Sequence, residues 1–343
     1  MIIPLHNEEK TIEFKLRNLL KSNYPEDHLQ IILADDASTD KTLQKASDFL
    51  DKNPGLNIRI VRAQEHLGKA NVLNMSLKFC EFDIVAMSDA DSFWAPDALT
   101  KLLPYLSDPT VGAVIGQERL LNPGQSWITQ TEKTYVGLVN STIRLGESKI
   151  HSNIFFHGLL AAYKKRYLES FNAEIDDSGT ALDIVQKGVR TLSIPDAQCF
   201  DVFPATWRGK TSVKARRASQ LIQLCAHCLK LLVRQQLLLP KKIALPEIFL
   251  FLFNPAIFMC LLALTPIVFV EWFPISLVLL LVLFPVLFYT QTRSVFVETL
   301  QNNLILLIGL ITFLSGKKFV AWETLKEPRS ILDENMLQRE GLI

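Results

Sequence analysis

Short apolar runs alternate with helical patterns over residues 1–200. The runs MIIP, LQIILADD, IRIVRA, FDIVAMSDAD and VGAVIG predict strands. Between them, STDKTLQKASDFL, GKANVLNMSLKFC and PDALTKLLPYL predict helices, the first of them capped by Ser38 or Thr39. Strands that alternate with helices in this way predict an α/β fold with a mostly parallel sheet.

The pattern becomes far more apolar at residues 246–316. Ile248 to Val270 and Trp272 to Thr292 carry no charge, and each is long enough to cross a hydrocarbon core of about 30 Å as a helix. Because only Glu271 separates them, we expect a tight helical hairpin. Thr299 to Ser315 has a shorter apolar core and fits a re-entrant segment and a third spanning helix equally well. Two or three crossings are therefore expected.

Two lysines, Lys317 and Lys318, follow the last apolar segment. The positive-inside rule favours the cytoplasmic side for them, which requires an even number of crossings. The sequence thus predicts a multi-pass protein of the cell membrane whose catalytic domain is cytoplasmic.

The segment RRASQLIQLCAHCLKLLVRQQ, residues 216–236, places its polar residues three and four positions apart on an otherwise apolar helix. This pattern favours a helix lying on the membrane surface, and the alternative is a helix buried in the soluble core. We interpret the Cys225–Cys228 pair within it as packing residues and not as a zinc or redox site, because the sequence has no second Cys or His pair at metal-site spacing. The expected organisation is a catalytic domain at 1–212, an interfacial segment at 213–245, a transmembrane region at 246–316 and a tail at 317–343.

Composition narrows the class of protein. The chain has 343 residues and a formal net charge of +1. Its net charge is therefore too small to create an overall electrostatic field that favours nucleic-acid binding. Its 5 cysteines show no disulfide-framework spacing, which suits a reducing compartment. MIIPLHNEEK is not a secretory signal, because its apolar run is too short.

Charged residues cluster where the predicted strands end and the next helices begin. They are Asp35, Asp36, Gly68-Lys69, Asp89, Asp91, Asp176 and Asp177. A single aspartate at a strand end usually caps a helix or a turn. Three acidic clusters and one lysine at the same edge of one sheet predict a ligand site, because open α/β sheets bind ligands at the carboxyl ends of their strands.

These side chains suit transfer from a nucleotide diphosphate. Mg²⁺ typically binds one or two carboxylates together with substrate phosphates, which Asp89 and Asp91 can supply. Lys69 can meet diphosphate oxygens as a point charge. A further carboxylate is needed as the general base.

Five motifs in order resemble family 2 glycosyltransferases of the GT-A fold, over about residues 1–235. They are PLHNEE, DDASTDKT, LGKANVLN, SDADS and DDSGTALDIVQKGVRTLSIPDA. The resemblance implies a Rossmann-like mixed sheet flanked by helices. It extends to the membrane-anchored members that are similar to cellulose and hyaluronan synthases and to ceramide glucosyltransferases.

The resemblance implies a role for each matching residue. Residues expected in the nucleotide-sugar pocket are Pro4, His6, Glu8, Asp36, Lys69 and Asp89. Asp89 and Asp91 would bind Mg²⁺ or Mn²⁺, and Asp177 would deprotonate the acceptor hydroxyl so that transfer inverts the anomeric configuration. An aspartate just before a helix N-terminus is expected to stay ionised, as a base must.

The sequence departs from the family pattern at several positions. The departures are His6 for Tyr in the first motif, Gly179 and Asp183 after the base, and KARRA (214–218) where membrane-bound synthases carry Q-x-x-R-W. Loss of that tryptophan weighs against a processive polymer synthase. Lys214 and Arg217 are expected to contact acceptor or diphosphate, although the basic run around them is equally typical of a patch attracted to anionic headgroups.

The resulting hypothesis is a membrane-anchored inverting glycosyltransferase. Its donor would be a nucleotide sugar, with a uridine base expected, and its acceptor a hydroxyl of a lipid or lipid-linked saccharide. Alternatives are a polyprenyl-phosphate sugar synthase and a polysaccharide synthase. A catalytically silent protein that binds nucleotide sugar is a further alternative, and the presence of Asp89, Asp91 and Asp177 argues against it.

Overall fold

The computed structural model describes residues 1–286, 288–315 and 326–343. The described residues form two compact units. The first unit comprises Met1–Asn122, Asn140–Pro204 and the described part of Val320–Ile343. The second unit comprises Pro123–Val139 and the described part of Ala205–Phe319.

Strands and helices are numbered in chain order. The strands are β1 (Ile2–Leu5), β2 (Ile31–Asp35), β3 (Ile58–Arg62), β4 (Ile84–Met87), β5 (Phe93–Trp94), β6 (Val111–Leu120), β7 (Ala161–Lys164) and β8 (Arg190–Asp201). The helices are α1 (Ile12–Leu20), α2 (Thr42–Lys52), α3 (Lys69–Leu77), α4 (Ala98–Leu102), α5 (Trp127–Leu138), α6 (Leu145–Ile150), α7 (Asp176–Val185), α8 (Trp207–Val233), α9 (Lys241–Ile248), α10 (Asn254–Glu271), α11 (Phe273–Val286), α12 (Thr290–Leu314), α13 (Lys326–Ile331) and α14 (Glu334–Arg339). Tight 3₁₀ turns lie at Glu26–His28, Leu103–Ser107 and Lys165–Tyr167, and wider π turns at Val139–Arg144 and Phe249–Phe253.

The first unit is built on one 8-stranded sheet in the order β3-β2-β1-β4-β7-β6-β8-β5. The pairs β1–β2, β1–β4, β2–β3 and β6–β8 are parallel. Strand β7 runs antiparallel between β4 and β6, and β5 runs antiparallel to β8. The sheet is therefore mixed, as the family resemblance implied. The expectation of a mostly parallel sheet, drawn from the alternating pattern alone, missed the antiparallel strand β7.

The central strands read as continuous apolar runs because both faces of the sheet are covered. Ile3 faces a cluster that includes Leu16 of α1, while its neighbour Ile2 faces a second cluster that includes Leu73 of α3. All four side chains are at most 1% exposed. The five predicted strand runs are all present. Burial on both faces explains the apolar runs of the central strands, whereas β3 at the sheet edge carries exposed arginines.

The predicted cap of α2 is wrong. The helix begins at Thr42, and Asp40 is the local acceptor, since its Oδ1 accepts the Thr42 N–H at 2.9 Å. Ser38 Oγ accepts the Asn7 N–H instead, at 3.0 Å. The serine hydroxyl therefore joins two strand ends rather than starting the helix.

Residues 326–343 belong to the first unit, although a long apolar segment separates them from the rest of it. Leu337 and Leu342 are fully buried in a cluster with Phe93 and Phe200. Asn18 of α1 donates from Nδ2 to the Leu342 carbonyl at 2.8 Å. The segment is thus packed into this unit rather than being a solvated tail.

The second unit contains the apolar helices. Lys241–Glu271 and Thr290–Leu314 are the described helices that are long and apolar enough to cross a membrane by length and composition. The predicted span Trp272–Thr292 is not one helix, because α11 ends at Val286 and α12 begins at Thr290. Thr299–Ser315 falls in the second half of α12 and at its end, and Lys317 and Lys318 lie outside the described residues.

Helix α8 buries part of its surface inside the second unit. Ile222, Cys225 and Cys228 are at most 2% exposed. A Cβ added at Gly309 of α12 would lie 3.1 Å from Ile222 Cδ1, so the two helices approach closely there. Burial also raises the pKa of the Cys228 thiol to about 12, which fits the packing interpretation of the cysteine pair. A membrane-surface role for residues 213–245 stays a prediction.

Candidate active site

The Lys69 side chain joins two of the predicted site residues in the first unit. Its Nζ lies 2.9 Å from Asp89 Oδ1 and 3.1 Å from Asp177 Oδ2. Asp89 follows β4, Lys69 begins α3, and Asp177 is the second residue of α7. Burial alone would lower the pKa of Lys69, but the carboxylates of Asp177 and Asp89 outweigh it and raise that pKa well above its ordinary value. The ammonium therefore stays charged.

Asp177 is placed to exchange a proton near neutral pH. Burial, reinforced by the charge of Asp176, raises its pKa to about 7, against the opposing effect of Lys69. Burial thus acts against the sequence expectation that a helix N-terminus keeps this group ionised. Asp176 has a left-handed φ of 62°, so the chain turns sharply into α7 at this point.

Gly158 leaves the space in which Lys69 and Asp89 meet. A Cβ at this position would overlap Lys69 Nζ and lie 2.5 Å from both carboxylate oxygens of Asp89. The Gly158 carbonyl also accepts the Asp89 N–H at 2.8 Å. The backbone of residue 158 thus both positions Asp89 and leaves room for its ion pair.

Asp36 forms a second cluster, at the end of β2. Its Oδ1 accepts the Leu67 N–H at 2.6 Å and its Oδ2 accepts the Gly68 N–H at 2.8 Å. His66 Nδ1 lies 2.9 Å from Oδ2, and His6 Nδ1 donates to the Asp36 carbonyl at 2.7 Å. The two imidazole rings lie 4.1 Å apart, and one donor atom from each of His6, Asp36 and His66 lies within 4.8 Å of the others. Two imidazole rings, tilted by 33° to each other, therefore lie beside a fixed carboxylate.

Glu8, after β1, is paired with a residue from the far end of the chain. Arg329 Nε donates to Glu8 Oε2 at 2.7 Å and Nη2 donates to the other carboxylate oxygen. The same Nη2 lies 3.3 Å from Asp91 Oδ2. Burial raises the pKa of Glu8 to about 7 against this guanidinium, and the charges of Asp91 and Glu8 raise the pKa of Arg329 although burial opposes them. Arg329 thus places a permanent positive charge between two predicted site residues.

Pro4 and Asp91 complete the predicted set in the first unit. Pro4 lies within β1, paired in register with Ala34 of β2, and its ring is buried. It therefore contributes to the sheet beneath His6. The Asp91 side chain is 34% exposed, so it is open to a ligand.

Lys214 and Arg217 belong to the second unit. Lys214 Nζ lies 2.6 Å from Glu132 Oε2 and 3.2 Å from Glu298 Oε2, and it also donates to Asn302 Oδ1 at 2.9 Å. The Lys214 ammonium therefore ties α8 to α5 and α12. Arg217 lies on α8 and is half-buried.

Besides His66, three residues at the site were missed in the sequence. Gly158 and Arg329 carry no signal, since one is an ordinary glycine and the other lies in a polar tail. Lys15 carries one, because it stands three residues after Ile12 on the face of α1 that buries Ile12, Leu16 and Leu19. Its side chain is fully buried beside the Asp89–Asp91 turn.

The profile of the family described as "Glycosyl transferase family 2" matches residues 1–171. Among solved structures, a mannosyltransferase from Pyrobaculum calidifontis in complex with GDP-Man and Mn2+ is 30% identical, with a TM-score of 0.75, and the match covers 92% of this chain and 87% of that chain. The chain belongs to glycosyl transferase family 2. Its fold is GT-A-like and it is a transferase, as the motifs predicted.

Curated bacterial proteins match over a shorter stretch. The probable glycosyltransferase YdaM of Bacillus subtilis (strain 168) is 25% identical over 215 residues, or 61% of this chain and 51% of that protein. The poly-beta-1,6-N-acetyl-D-glucosamine synthase of Staphylococcus aureus (strain COL) is 26% identical over 223 residues, or 63% and 53%. The chain thus spans about half the length of the curated relatives it matches.

Proposed function

We propose that this family 2 glycosyltransferase moves a sugar from a nucleotide-diphosphate sugar to a hydroxyl of a lipid or lipid-linked saccharide, with inversion at the anomeric carbon. The observation that carries the proposal is the Asp89–Lys69–Asp177 ion-pair chain at the strand ends. It brings a cation suited to diphosphate next to a carboxylate whose pKa is about 7.

Asp177 acts as the general base in this proposal. Its carboxylate accepts the proton of the acceptor hydroxyl while the acceptor oxygen bonds to the anomeric carbon. The bond from that carbon to the diphosphate oxygen breaks, and the electron pair leaves with the diphosphate. Lys69 faces that oxygen as a fixed positive charge, and attack opposite the leaving group inverts the configuration.

Asp89 and Asp91 would hold a divalent cation. Their donor atoms are carboxylate oxygens, which Mg²⁺ and Mn²⁺ prefer. The guanidinium of Arg329, 3.3 Å from Asp91 Oδ2, already occupies a position that attracts positive charge. When bound, the cation would neutralise charge on the leaving diphosphate. The Mn2+ in the Pyrobaculum calidifontis complex supports this assignment, with Mg²⁺ as the second ion to test.

The nucleotide base would lie against the cluster of His6, Asp36 and His66. The imidazole pair offers aromatic faces for stacking, and the buried Asp36 carboxylate holds the loop beside them by accepting the Leu67 and Gly68 N–H groups. GDP-Man in the structure with 30% identity makes guanosine diphosphate mannose the first donor to test, ahead of the uridine sugars expected from sequence.

The membrane part of the proposal rests on chain connectivity. Glu8 and Arg329 lie in one compact unit, on opposite sides in sequence of the two helices that are apolar enough to span a membrane. One compact unit cannot occupy both sides of a bilayer. The number of crossings is therefore even, and we propose two, with the catalytic unit cytoplasmic and the acceptor drawn from the membrane.

A donor panel tests the proposal. The full-length protein, purified in detergent and supplied with a bacterial lipid extract, is incubated with GDP-mannose, UDP-N-acetylglucosamine or UDP-glucose and with Mn²⁺, Mg²⁺ or EDTA. We expect one donor to release diphosphate and to label the lipid fraction only when a divalent ion is present. Activity unchanged by EDTA would refute the role given to Asp91.

The variant Asp177→Asn separates an enzyme from a silent nucleotide-sugar-binding protein. We expect the variant to bind donor normally and to lose about 100-fold or more in transfer rate. Asp183→Asn on the same helix is the matched control, since Asp183 is exposed and accepts from Asn172 Nδ2 at 2.8 Å. Equal transfer by Asp177→Asn and wild type would exclude Asp177 as the base.

The polysaccharide synthase alternative is supported by the Staphylococcus aureus relative, and the polyprenyl-phosphate sugar synthase alternative by the membrane helices. The size and mild-acid lability of the labelled product distinguish them. One sugar on a lipid hydroxyl supports the proposal, a long polymer supports the first alternative, and a sugar on a lipid phosphate supports the second.

A further inference from the structure

Lys15 is a fully buried lysine in the first unit. It lies on the face of α1 that packs Ile12, Leu16 and Leu19 into the core. Its side chain has no exposed surface. Burying an ammonium group is unfavourable unless it is well hydrogen-bonded, so its position calls for a specific role.

The Lys15 ammonium reaches the two ends of one turn. Its Nζ donates to Ser88 Oγ at 2.5 Å and to the Ser92 carbonyl at 2.6 Å. Ser88 and Ser92 bracket Asp89-Ala90-Asp91, the turn that carries both proposed metal ligands. The third side of the ammonium faces the Trp94 ring, whose centroid is 4.9 Å away.

The side chains of Ser88 and Ser92 contact each other at the two ends of this turn. Their hydroxyl oxygens lie 3.0 Å apart, and Ser92 Oγ donates to the Leu159 carbonyl at 2.9 Å. Trp94 Nε1 donates to the same carbonyl at 2.7 Å. Lys15 therefore belongs to a buried hydrogen-bond network that connects α1, the turn at residues 88–92 and the Leu159 carbonyl.

Lys15 acts on the turn without occupying its carboxylates. Ser88 Oγ and the Ser92 carbonyl, which accept from its Nζ, are uncharged oxygens, so these hydrogen bonds do not use the carboxylate oxygens of Asp89 and Asp91. Burial lowers the pKa of Lys15 to about 7, while the nearby charges of Asp89 and Asp91 favour its charged form.

We propose that Lys15 is a positioning residue for the divalent cation: it holds residues 88–92 in the shape in which Asp89 and Asp91 bind the metal–diphosphate group together. The inference rests on the proposed function, because it concerns how that metal site is held. Lys15 touches neither the donor nor the ion.

The test is Mn²⁺ binding to the full-length protein without donor, followed by electron paramagnetic resonance of the free ion. We expect Lys15→Met to weaken Mn²⁺ binding about 10-fold or more, as is typical for residues that hold metal ligands from behind. It should also raise the Mn²⁺ concentration needed for half-maximal transfer by a similar factor. Ser88→Ala, which keeps Lys15 but removes one acceptor, should shift both values in the same direction.

Two controls separate positioning from a loss of folding. Leu99→Ala removes a core side chain of α4 that is 2% exposed, and should lower the melting temperature without changing Mn²⁺ affinity. Lys165→Met removes a similar lysine-to-carbonyl bond, to Cys80 at 2.6 Å, and should leave metal binding unchanged.

Each outcome decides the proposal. The proposal is overturned if a folded Lys15→Met protein binds Mn²⁺ with wild-type affinity. If that variant does not fold, the proposal is overturned by wild-type Mn²⁺ affinity in Ser88→Ala. Weakening in Leu99→Ala equal to that in Lys15→Met also overturns it, since stability alone would then explain the effect. Failure of wild-type protein to bind Mn²⁺ even when GDP is present would instead refute the metal site of the proposed function.

Discussion

Arg329 and Glu8 form a two-point ion pair across 321 positions of sequence, with side chains only 12% and 2% exposed. Removing one partner of a buried pair leaves the other charge uncompensated. Because Glu8 follows β1 and Arg329 lies in α13, this pair couples the last described segment to the centre of the sheet.

We predict that Arg329→Gln lowers the free energy of unfolding of the first unit by about 3–5 kcal/mol. Chemical denaturation of the full-length protein measures this. Glu334→Gln is the control, because the Arg17–Glu334 pair at 2.7 Å is 34% and 43% exposed and should contribute at most about 1 kcal/mol. Equal effects of the two variants would contradict the assignment of Arg329 to a buried pair.

We predict that Gly158→Ala lowers transfer about 100-fold, a loss typical of a misplaced catalytic group. The new methyl group would displace Lys69 Nζ and the Asp89 carboxylate. Stability should change little, because these atoms are the ends of side chains that can move. Steady-state kinetics and thermal melting measure the two effects. Gly55→Ala is the control, since nothing lies within 4 Å of its Cβ, and a large loss of rate there would contradict the explanation.

We predict an acid limb in the pH dependence of kcat/KM. The pKa of Asp177 is raised to about 7, and a general base must be ionised. The rate should therefore be full well above pH 7, half-maximal near pH 7, and fall below it by close to tenfold per pH unit. Rates measured from pH 5 to 9 on protein that remains folded decide this. A flat profile down to pH 5 would argue against Asp177 as the base.

We predict that Lys214→Met destabilises the second unit, by roughly 3 kcal/mol, because it removes a cation from a buried group that includes Glu132 and Glu298. The melting temperature of detergent-purified protein should fall. Lys230→Met, an exposed position on the same helix, should leave it unchanged. A selective rise in acceptor KM at unchanged stability would support the sequence-based role of Lys214 instead.

The sequence predicted the strands and the clustering of site residues for one physical reason. Asp36 and Asp89 follow β2 and β4, whose apolar residues are buried on both faces of the sheet, and Lys69 follows β3, the partly exposed strand at the sheet edge. The ends of these three strands meet at one edge of the sheet. Local pattern was enough to find them.

Other features depend on contacts between distant residues. Nothing local distinguishes Arg329 from a surface arginine, because its role comes from Glu8 and Asp91. The raised pKa of Asp177 comes from burial, which the helix-start pattern does not reveal. The break between α11 and α12 lies in a region of uniformly apolar composition, where length alone cannot locate it.

The burial of Leu337 and Leu342 against Phe93 and Phe200 has a practical consequence. A water-soluble fragment that stops at residue 204 would lack these two leucines and Arg329. It would expose an apolar surface and leave Glu8 buried without its guanidinium. Joining residues 326–343 to the fragment through a flexible linker should restore the leucine packing and the Glu8–Arg329 pair. To produce the catalytic unit without the apolar helices, residues 326–343 should therefore be fused to the fragment and not simply deleted.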